Sequence, residues 1–279
     1  MAWTKTAREQ YRRAPHSKAR PLTDAQWRRI GRFLPRQSKR GRPRAWPMRT
    51  IVDAALHIAW AGGPWRALPD AFPPFTTVQN YFYAWRDSGL LDRIVAALVR
   101  LERRKAGRSV RPSAGVIDSQ SVPTMYGGPR GYDAGKRVNG RKRHIVTDTL
   151  GLLIAWRVHP ADVQDCHGAV PLLKDLGKRV PTLKRVFADR VYRGKQLIEA
   201  IGPQPWTLEI VERPKGVKGF ALLPRRWVVE RTFAWFNTSR RLARDYEKSV
   251  ESATAWMLLS HIQTLLRRIQ PRMRPETEL

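Results

Sequence analysis

Residues 115–122 read GVIDSQSV, and in this stretch an apolar run is followed at once by a carboxylate, Asp118. Residues 114–117 are small or apolar, which predicts a short buried strand that ends at Asp118. The apolar run 186–188 is likewise followed by an acid, Asp189. Two buried strands, each ending in a carboxylate, are therefore the starting point for predicting the fold.

The segments around these two runs predict a mixed α/β domain over residues 111–279. Apolar periodicity indicates further strands at 143–147, 152–158 and 207–211, and helices at 170–176, 224–246 and 251–269. With one more helix before the last strand, the order is strand, strand, strand, helix, strand, helix, strand, helix, helix. This order is typical of a mixed sheet with flanking helices.

The first 110 residues predict a separate helical domain. Thr23 and Gln26 form a capping-box pattern that begins a helix reaching about residue 34. A second helix is predicted over 48–61, where two glycines and a proline end it, and a fourth begins near residue 91.

The third predicted helix, 76–87, is the candidate DNA-reading element. Thr76 and Gln79 repeat the capping pattern at its start, and its aromatic residues share one apolar face, which predicts that they lie in the core. Several short helices with excess positive charge are typical of a helix-turn-helix module. The 76–87 helix is then expected to enter a major groove.

The charge of the chain indicates a polyanionic partner. Lysine and arginine number 53 against 23 acids, which gives a net charge of +30. With 42% hydrophobic residues and 11 tryptophans, the chain is too apolar to be a disordered basic tail. Residues 1–50 alone hold 15 basic residues and two acids. The run 35–47, with RGRPR, is either a segment that follows a DNA backbone or a solvated basic linker.

Several other classes of protein are excluded. A single cysteine, Cys166, allows no internal disulfide, and the histidines lack zinc-site spacing. The glycine-rich stretch 127–140 lacks the residues of a nucleotide P-loop. No apolar run is long enough for a membrane span or a signal peptide, so we expect a cytoplasmic, nucleoid-associated protein without a membrane or small-molecule partner.

Asp118, Asp189 and Glu230 are the candidate catalytic acids. A carboxylate at the end of a buried strand is costly unless a cation neutralises it, and Mg²⁺ prefers such oxygen ligands. Two ions bound together would support phosphodiester hydrolysis or transfer. Each acid alone has a simpler interpretation, because Asp often caps a turn and Glu230 follows Arg226 by four residues, the spacing of a surface ion pair.

The predicted 224–246 helix strengthens the catalytic interpretation. Arg226, Glu230, Asn237 and Arg241 recur at spacings of four, seven and four, so they share one face of that helix. One face could thus offer both a metal ligand and phosphate contacts.

Six stretches together resemble a known family, the DDE transposases of bacterial insertion sequences, in particular the insertion sequence 5 family. They are LTDAQWRRIGRFLP (22–35), GGPWRALP (62–69), IDSQSV (117–122), GGPRGYDAGKRVNGRKRHIVTDTLGLL (127–153), FADRVYRG (187–194) and VVERTFAWFNTSRRLARDYE (228–247). The resemblance implies a ribonuclease-H-like core in which Asp118, Asp189 and Glu230 bind two Mg²⁺ ions, with Mn²⁺ as a substitute. It also implies double-stranded DNA substrates, the terminal inverted repeats and a target, held by a homodimer or larger assembly.

The chain departs from the family pattern around the last acid. Leu223 and Asn237 stand where related transposases have Tyr and Lys, so Arg240 or Arg241 is the alternative phosphate contact. The rival third acids are Glu209, Glu212 and Glu247.

The basic and polar candidates for DNA contact come from four parts of the chain. They are Arg40, Arg42, Arg44, Gln79, Lys136, Arg137, Arg141, Lys142, Arg143, Arg226, Asn237, Arg240 and Arg241.

The expected reaction is cleavage at the element ends by water, followed by attack of the released 3′-hydroxyl on target DNA. The alternatives are a DNA-binding regulator without chemistry and an inactive transposase that still binds its repeats.

Overall fold

The computed structural model describes residues 21–37, 41–212 and 224–269. Arg40 and Leu223 lie outside these ranges, as do the basic residues of the first twenty positions.

The described residues form helices first, then a sheet with helices interspersed, and two helices last. The helices are α1 (Asp24–Ile30), α2 (Met48–Ala61), α3 (Phe75–Asp87), α4 (Leu90–Lys105), α5 (Asp165–Arg179), α6 (Lys195–Ile201), α7 (Pro224–Asn237) and α8 (Val250–Ile269). The strands are β1 (Ala114–Pro123), β2 (Gly131–Asp133), β3 (Val138–Asp148), β4 (Leu153–Pro160), β5 (Arg185–Ala188) and β6 (Thr207–Ile210). The mixed α/β prediction is confirmed, and β2 is the strand that it missed.

The sheet has an antiparallel half and a parallel half. β3 pairs antiparallel with β1 along one edge and with β2 and β4 along the other. β1 then pairs parallel with β5, and β5 pairs parallel with β6. The spatial order is therefore β4 and β2, then β3, β1, β5 and β6.

The side chains of successive residues in the central strands pack into two different hydrophobic cores. Val116 and Ile145 face a core shared with α7 and α8, while Ile117 and Val146 face a second core formed with α5 and α6. Because neighbouring residues of a strand point to opposite faces, the sheet is covered on both sides. The sheet is the middle of three layers.

The first helices share one of these cores with the last helix. Trp256 of α8 stacks on Phe82 of α3, with ring centroids 4.4 Å apart, and lies 5.2 Å from Trp65. Gln26 of α1 donates to the Leu266 carbonyl. Of the aromatic residues on the apolar face of α3 that we predicted to be core, Phe82 and Trp85 are buried, whereas Tyr81 is half-buried. The division of the chain at residue 110 stays a prediction.

Local sequence explains how α1 and α2 begin and end. The Thr23 hydroxyl accepts from the Gln26 amide, and the Gln26 side chain accepts from the Thr23 amide, so the predicted capping box is present. Gly62 ends α2 in the left-handed region at φ 77°, and a Cβ there would come within 2.9 Å of the Arg240 backbone. Glycine is required there for both reasons.

The capping box predicted at Thr76 is wrong. α3 begins at Phe75 after Pro74, and no side chain caps it. Proline sets the backbone at the helix start, and the Gln79 side chain donates to the Tyr83 hydroxyl at 3.0 Å instead.

Two of the boundaries that differ from the prediction affect the candidate site. β1 continues to Pro123, so Asp118 lies within the strand and not at its end, because β3 pairs with β1 along that whole length. The predicted 224–246 helix ends at Asn237, where i→i+3 bonds from Thr238 and Ser239 tighten the last turn. Arg241 therefore does not share the face of α7 that carries Glu230.

Among the described residues, no helix has the length and apolar character needed to cross a membrane.

Acid is expected to destabilise the fold through buried His261. Burial lowers its pKa to about 3, and its Nε2 atom accepts from the Leu153 amide, which the protonated ring could not do. Since an unfolded histidine titrates near pH 6.5, the folded state binds fewer protons, and stability is lost as pH falls below that value. This one histidine should cost about 2 kcal/mol at pH 5.

Urea denaturation at pH 7 and pH 5 measures this cost. His261→Gln keeps an acceptor but does not titrate, so it should reduce the difference between the two pH values by about that amount. An equal difference in both proteins would contradict the assignment.

Candidate active site

Adjacent parallel strands bring Asp118 and Asp189 together. Val116 of β1 is the register partner of Phe187 of β5, and continuing this register by two residues sets Asp118 beside Asp189. Asp189 directly follows β5 and accepts from the Val191 amide at 2.9 Å, so it caps the 3₁₀ turn Arg190–Tyr192. The two acids that the sequence singled out therefore lie at one edge of the parallel half of the sheet.

Asp118 is a buried carboxylate that lies close to a second one, Asp189. Burial, and then the Asp189 charge, raise the pKa of Asp118 to about 6. The Ser119 amide, at 2.7 Å from the carboxylate, and the cations of Arg226 and Lys136 act in the opposite direction. A further cation between these two acids would be favourable.

Arg226 of α7 joins Asp189 to Glu230. Its guanidinium lies 3.6 Å from the Asp189 carboxylate and 3.5 Å from that of Glu230, one turn further along the helix. Val229 is buried and fixes the side of α7 that faces the core. The Glu230 side chain is 47% exposed, so its contact with the site runs through Arg226.

The donor set fits a hard divalent cation, but the third acid is not yet in place. Asp118 and Asp189 offer carboxylate oxygens, the ligands that Mg²⁺ prefers. In the part of the chain that the structure describes, no three His, Cys, Asp or Glu side chains are grouped to hold a metal ion. Glu230 would have to leave Arg226 to join the two aspartates.

The rival third acids are held by other arginines. Glu209 lies 3.9 Å from Arg185, Glu212 pairs with Arg193, and Glu247 pairs with the buried Arg241. These pairings favour Glu230 as the third acid, because Arg226, which contacts Glu230, also contacts Asp189.

Lys136 approaches the same site from the β2–β3 turn. Its ammonium lies 3.4 Å from the Ser119 hydroxyl and carbonyl, next to Asp118. Its backbone amide donates to Asp133, whose other oxygen accepts from Ser121 of β1. The turn is thus anchored to the strand of Asp118, and the exposed Lys136 side chain lies at the mouth of the site.

Arg141, Lys142 and Arg143 of β3 were predicted to contact DNA, but their side chains are buried, which does not fit that role. Arg141 is 0% exposed and pairs with Asp245 at 3.0 Å. Lys142 pairs with Asp165 at 2.7 Å, and Arg143 donates to the Leu242 carbonyl at 2.9 Å. All three side chains are buried and bonded to other parts of the protein.

The predicted DNA contact at Arg241 is corrected for the same reason. The remaining candidates for DNA contact differ in how exposed their side chains are. Arg241 is buried, donates to the Gly63 carbonyl at 3.0 Å and pairs with Glu247. Arg44 and Gln79 are half-buried and bonded to Tyr81 and Tyr83. The candidates with exposed side chains are Arg42, Lys136, Arg137, Asn237 and Arg240.

The sequence interpretation missed one polar network beside the site. The Ser119 hydroxyl donates to Asp165 at the start of α5, and Asp165 also binds Lys142. The one sequence signal for this network is the position of Asp165 in the first turn of a helix. Its partners, Ser119 and Lys142, lie on other elements and could not be identified from the sequence.

Comparisons with known proteins agree on one class. Residues 110–265 match the model of the Transposase DDE domain, and residues 22–95 match that of the putative transposases of the IS4/5 family. The putative transposase for insertion sequence element IS402 of Burkholderia cepacia is 31% identical over 183 residues, which is 60% of this chain and 84% of that protein. The uncharacterized protein y4sN of Sinorhizobium fredii is 38% identical over 79 residues, 28% of this chain and 63% of that protein. No solved structure gives a significant match.

The fold and these matches define a DDE transposase domain with the ribonuclease-H-like architecture, so the predicted fold class is confirmed. The chain belongs to the DDE transposases of the IS4/5 family, because the domain model covers more than half of its length and the first helices match the same group.

Proposed function

We propose that this transposase binds the terminal inverted repeats of its own insertion sequence, cleaves DNA at the element ends and joins the 3′-hydroxyl ends to target DNA. The observation that carries the proposal is the placement of Asp118 in β1 and of Asp189 directly after the neighbouring parallel strand β5, with Arg226 and Glu230 on the helix beside them. The net charge of +30 supports a DNA substrate.

Asp118, Asp189 and Glu230 would hold the divalent metal ions. When bound, Mg²⁺ or Mn²⁺ supplies Lewis-acid activation of the attacking oxygen and stabilisation of the leaving oxygen. The assignment is supported by the burial of Asp118 next to a second carboxylate: burial first, and then the Asp189 charge, raise the pKa of Asp118, and a bound cation would offset both effects.

Arg226 and Lys136 are the proposed phosphate contacts at the site. Arg226 lies between two carboxylates, so loss of its Glu230 partner to a metal would leave guanidinium donors for a phosphate oxygen. Lys136 is exposed beside Asp118 and offers a compact positive charge. The exposed Arg42, Arg137, Asn237 and Arg240 are retained as proposed contacts with the rest of the duplex.

A strand-cleavage assay tests the proposal. Labelled DNA with the element's own ends is incubated with the full-length protein in Mg²⁺ or in EDTA, and the products are tested for a 3′-hydroxyl and for joining to a plasmid. We expect cleavage and joining in Mg²⁺ alone. Tight binding of the ends with no cleavage in Mg²⁺ or Mn²⁺ would instead favour an inactive transposase or a DNA-binding regulator. The observation that supports this alternative is that, in the described residues, Glu230 is not grouped with the two aspartates.

The choice of third acid is tested by comparing two glutamates. Glu230→Gln removes a proposed metal ligand and should lower the cleavage rate by at least about 100-fold. Glu209→Gln is the matched control, since Glu209 lies on the edge strand β6, 3.9 Å from Arg185 of β5, and its substitution should retain the wild-type rate within about threefold. A larger loss for Glu209→Gln than for Glu230→Gln would reverse the assignment.

A further inference from the structure

A line of buried polar side chains lies beside the two aspartates. The Tyr192 hydroxyl is 3.0 Å from His144 Nε2, and His144 Nδ1 is 2.7 Å from His159 Nε2. His159 Nδ1 is in turn 2.8 Å from the Pro160 carbonyl oxygen. Tyr192 and His144 are 1% and 0% exposed. We call these three side chains the Tyr–His–His line.

The proton positions along the line follow from its last acceptor. A carbonyl only accepts, so His159 Nδ1 carries a hydrogen, and in the neutral ring its Nε2 accepts. His144 Nδ1 must then donate, which leaves its Nε2 as an acceptor for the Tyr192 hydroxyl. Burial lowers the pKa of both histidines, in agreement with neutral rings. Each bond in the line therefore has one donor and one acceptor.

Tyr192 is bonded to the same turn as Asp189. Its amide donates to the Asp189 carbonyl at 3.2 Å, because Tyr192 is the last residue of the three-residue turn that Asp189 caps. Burial, and then the charges of Asp118, Asp165 and Asp189, raise the pKa of Tyr192 well above its ordinary value, so its hydroxyl remains a donor. The ring thus anchors the turn close to both aspartates.

His144, the middle member of the line, lies on β3, the strand that pairs with the strand of Asp118. His144 of β3 is the register partner of Ser119, which follows Asp118 in β1. The line therefore ties the turn of Asp189 to the part of the sheet that holds Asp118.

Gly168 of α5 lies against the two histidines of the Tyr–His–His line, and its lack of a side chain gives them space. A Cβ at this position would lie 2.5 Å from His159 Nε2 and 2.9 Å from His144 Cε1. The two imidazoles stack with centroids 5.0 Å apart against the bare helix backbone. Any side chain larger than hydrogen at position 168 would displace them.

We infer that Tyr192 is a positioning residue, held by His144 and His159, that fixes the Asp189 carboxylate relative to Asp118 and so sets the affinity of the site for divalent cations. The inference rests on the proposed function, because it takes the two aspartates as metal ligands. Groups that orient metal ligands without touching the metal commonly change its affinity by 10-fold to 100-fold.

Calorimetric titration of the full-length, DNA-free protein with Mn²⁺ tests the inference. Tyr192→Phe keeps the ring and removes the hydroxyl, and we expect its Mn²⁺ dissociation constant to rise about 10-fold. Tyr126→Phe, which removes a hydroxyl from an exposed side chain, should bind Mn²⁺ as the wild type does. A purely structural hydroxyl would lower the melting temperature of Tyr192→Phe and leave the Mn²⁺ affinity of the folded protein unchanged, which would overturn the inference.

Gly168→Ala tests the line from its other side without altering the turn of Asp189. Its methyl group should displace the imidazoles and weaken Mn²⁺ binding in the same direction as Tyr192→Phe. Asp189→Asn distinguishes a failure of the proposed metal site from a failure of the positioning role of Tyr192. If Asp189→Asn loses Mn²⁺ binding while Tyr192→Phe and Gly168→Ala retain wild-type affinity, only the positioning role fails. If Asp189→Asn binds Mn²⁺ as tightly as the wild type, the metal site itself is wrong and both fail.

Discussion

Asp189→Asn is expected to lower the rate of DNA strand cleavage by about 1000-fold. The amide keeps the shape of the side chain and can still cap the following turn, but it loses the charge that would bind a divalent cation. Metal-assisted phosphoryl transfer derives several kcal/mol from that cation, and about 4 kcal/mol corresponds to this change in rate. Single-turnover cleavage of labelled element ends in saturating Mg²⁺ measures it.

Asp175→Asn provides the matched control for Asp189→Asn. Asp175 lies on α5, outside the strand edge that carries Asp118 and Asp189, and its side chain is exposed. Its substitution should leave cleavage unchanged. Cleavage by Asp189→Asn within 10-fold of the wild type would show that this acid is not a metal ligand.

Asp245→Asn is expected to lower the free energy of unfolding by about 3–5 kcal/mol. Arg141 and Asp245 form an ion pair in which the side chains are 0% and 2% exposed. Removing one charge leaves a buried guanidinium without its counter-ion, which is far more costly than the pair itself is worth. Asp245 also accepts from the Glu247 amide, and its backbone bonds to Pro123 and Met125 at the end of β1.

Urea denaturation at pH 7 measures this loss. Asp24→Asn is the control, because Asp24 is 77% exposed and its ion pair with Arg49, screened by solvent, should contribute little to stability. Replacing Arg141 and Asp245 together by leucine should recover much of the stability. A loss for Asp245→Asn as small as that for Asp24→Asn would contradict the structural role of the pair.

Local patterns were sufficient to predict most elements of the fold. The capping box at Thr23, the glycine stop after Ala61 and the apolar face of α8 each depend on residues within one or two turns. The aspartates could also be found, since an acid directly after an apolar run stands out in the sequence. Their proximity follows once the two runs are adjacent parallel strands.

The roles of the basic residues could not be predicted, because their partners are distant in sequence. Arg141, Lys142 and Arg143 form a run that suggests DNA binding, yet they lie on a central strand covered on both faces. Neighbouring side chains therefore point into opposite layers, and Arg143 finds a carbonyl 99 residues away. The same limitation hid the Tyr–His–His line, whose members come from β3, β4 and the turn after β5.

The most direct test of the central claim measures DNA binding and DNA cleavage together for Asp118→Asn. Filter binding gives the affinity for the element ends, and gel analysis in Mg²⁺ gives the cleavage rate, both alongside wild-type protein. The account predicts that the variant binds the ends with an affinity within about threefold of the wild type and cleaves them at less than about one thousandth of its rate. Wild-type cleavage retained by Asp118→Asn would contradict it, because the reaction would then not depend on the carboxylate at the centre of the proposed site.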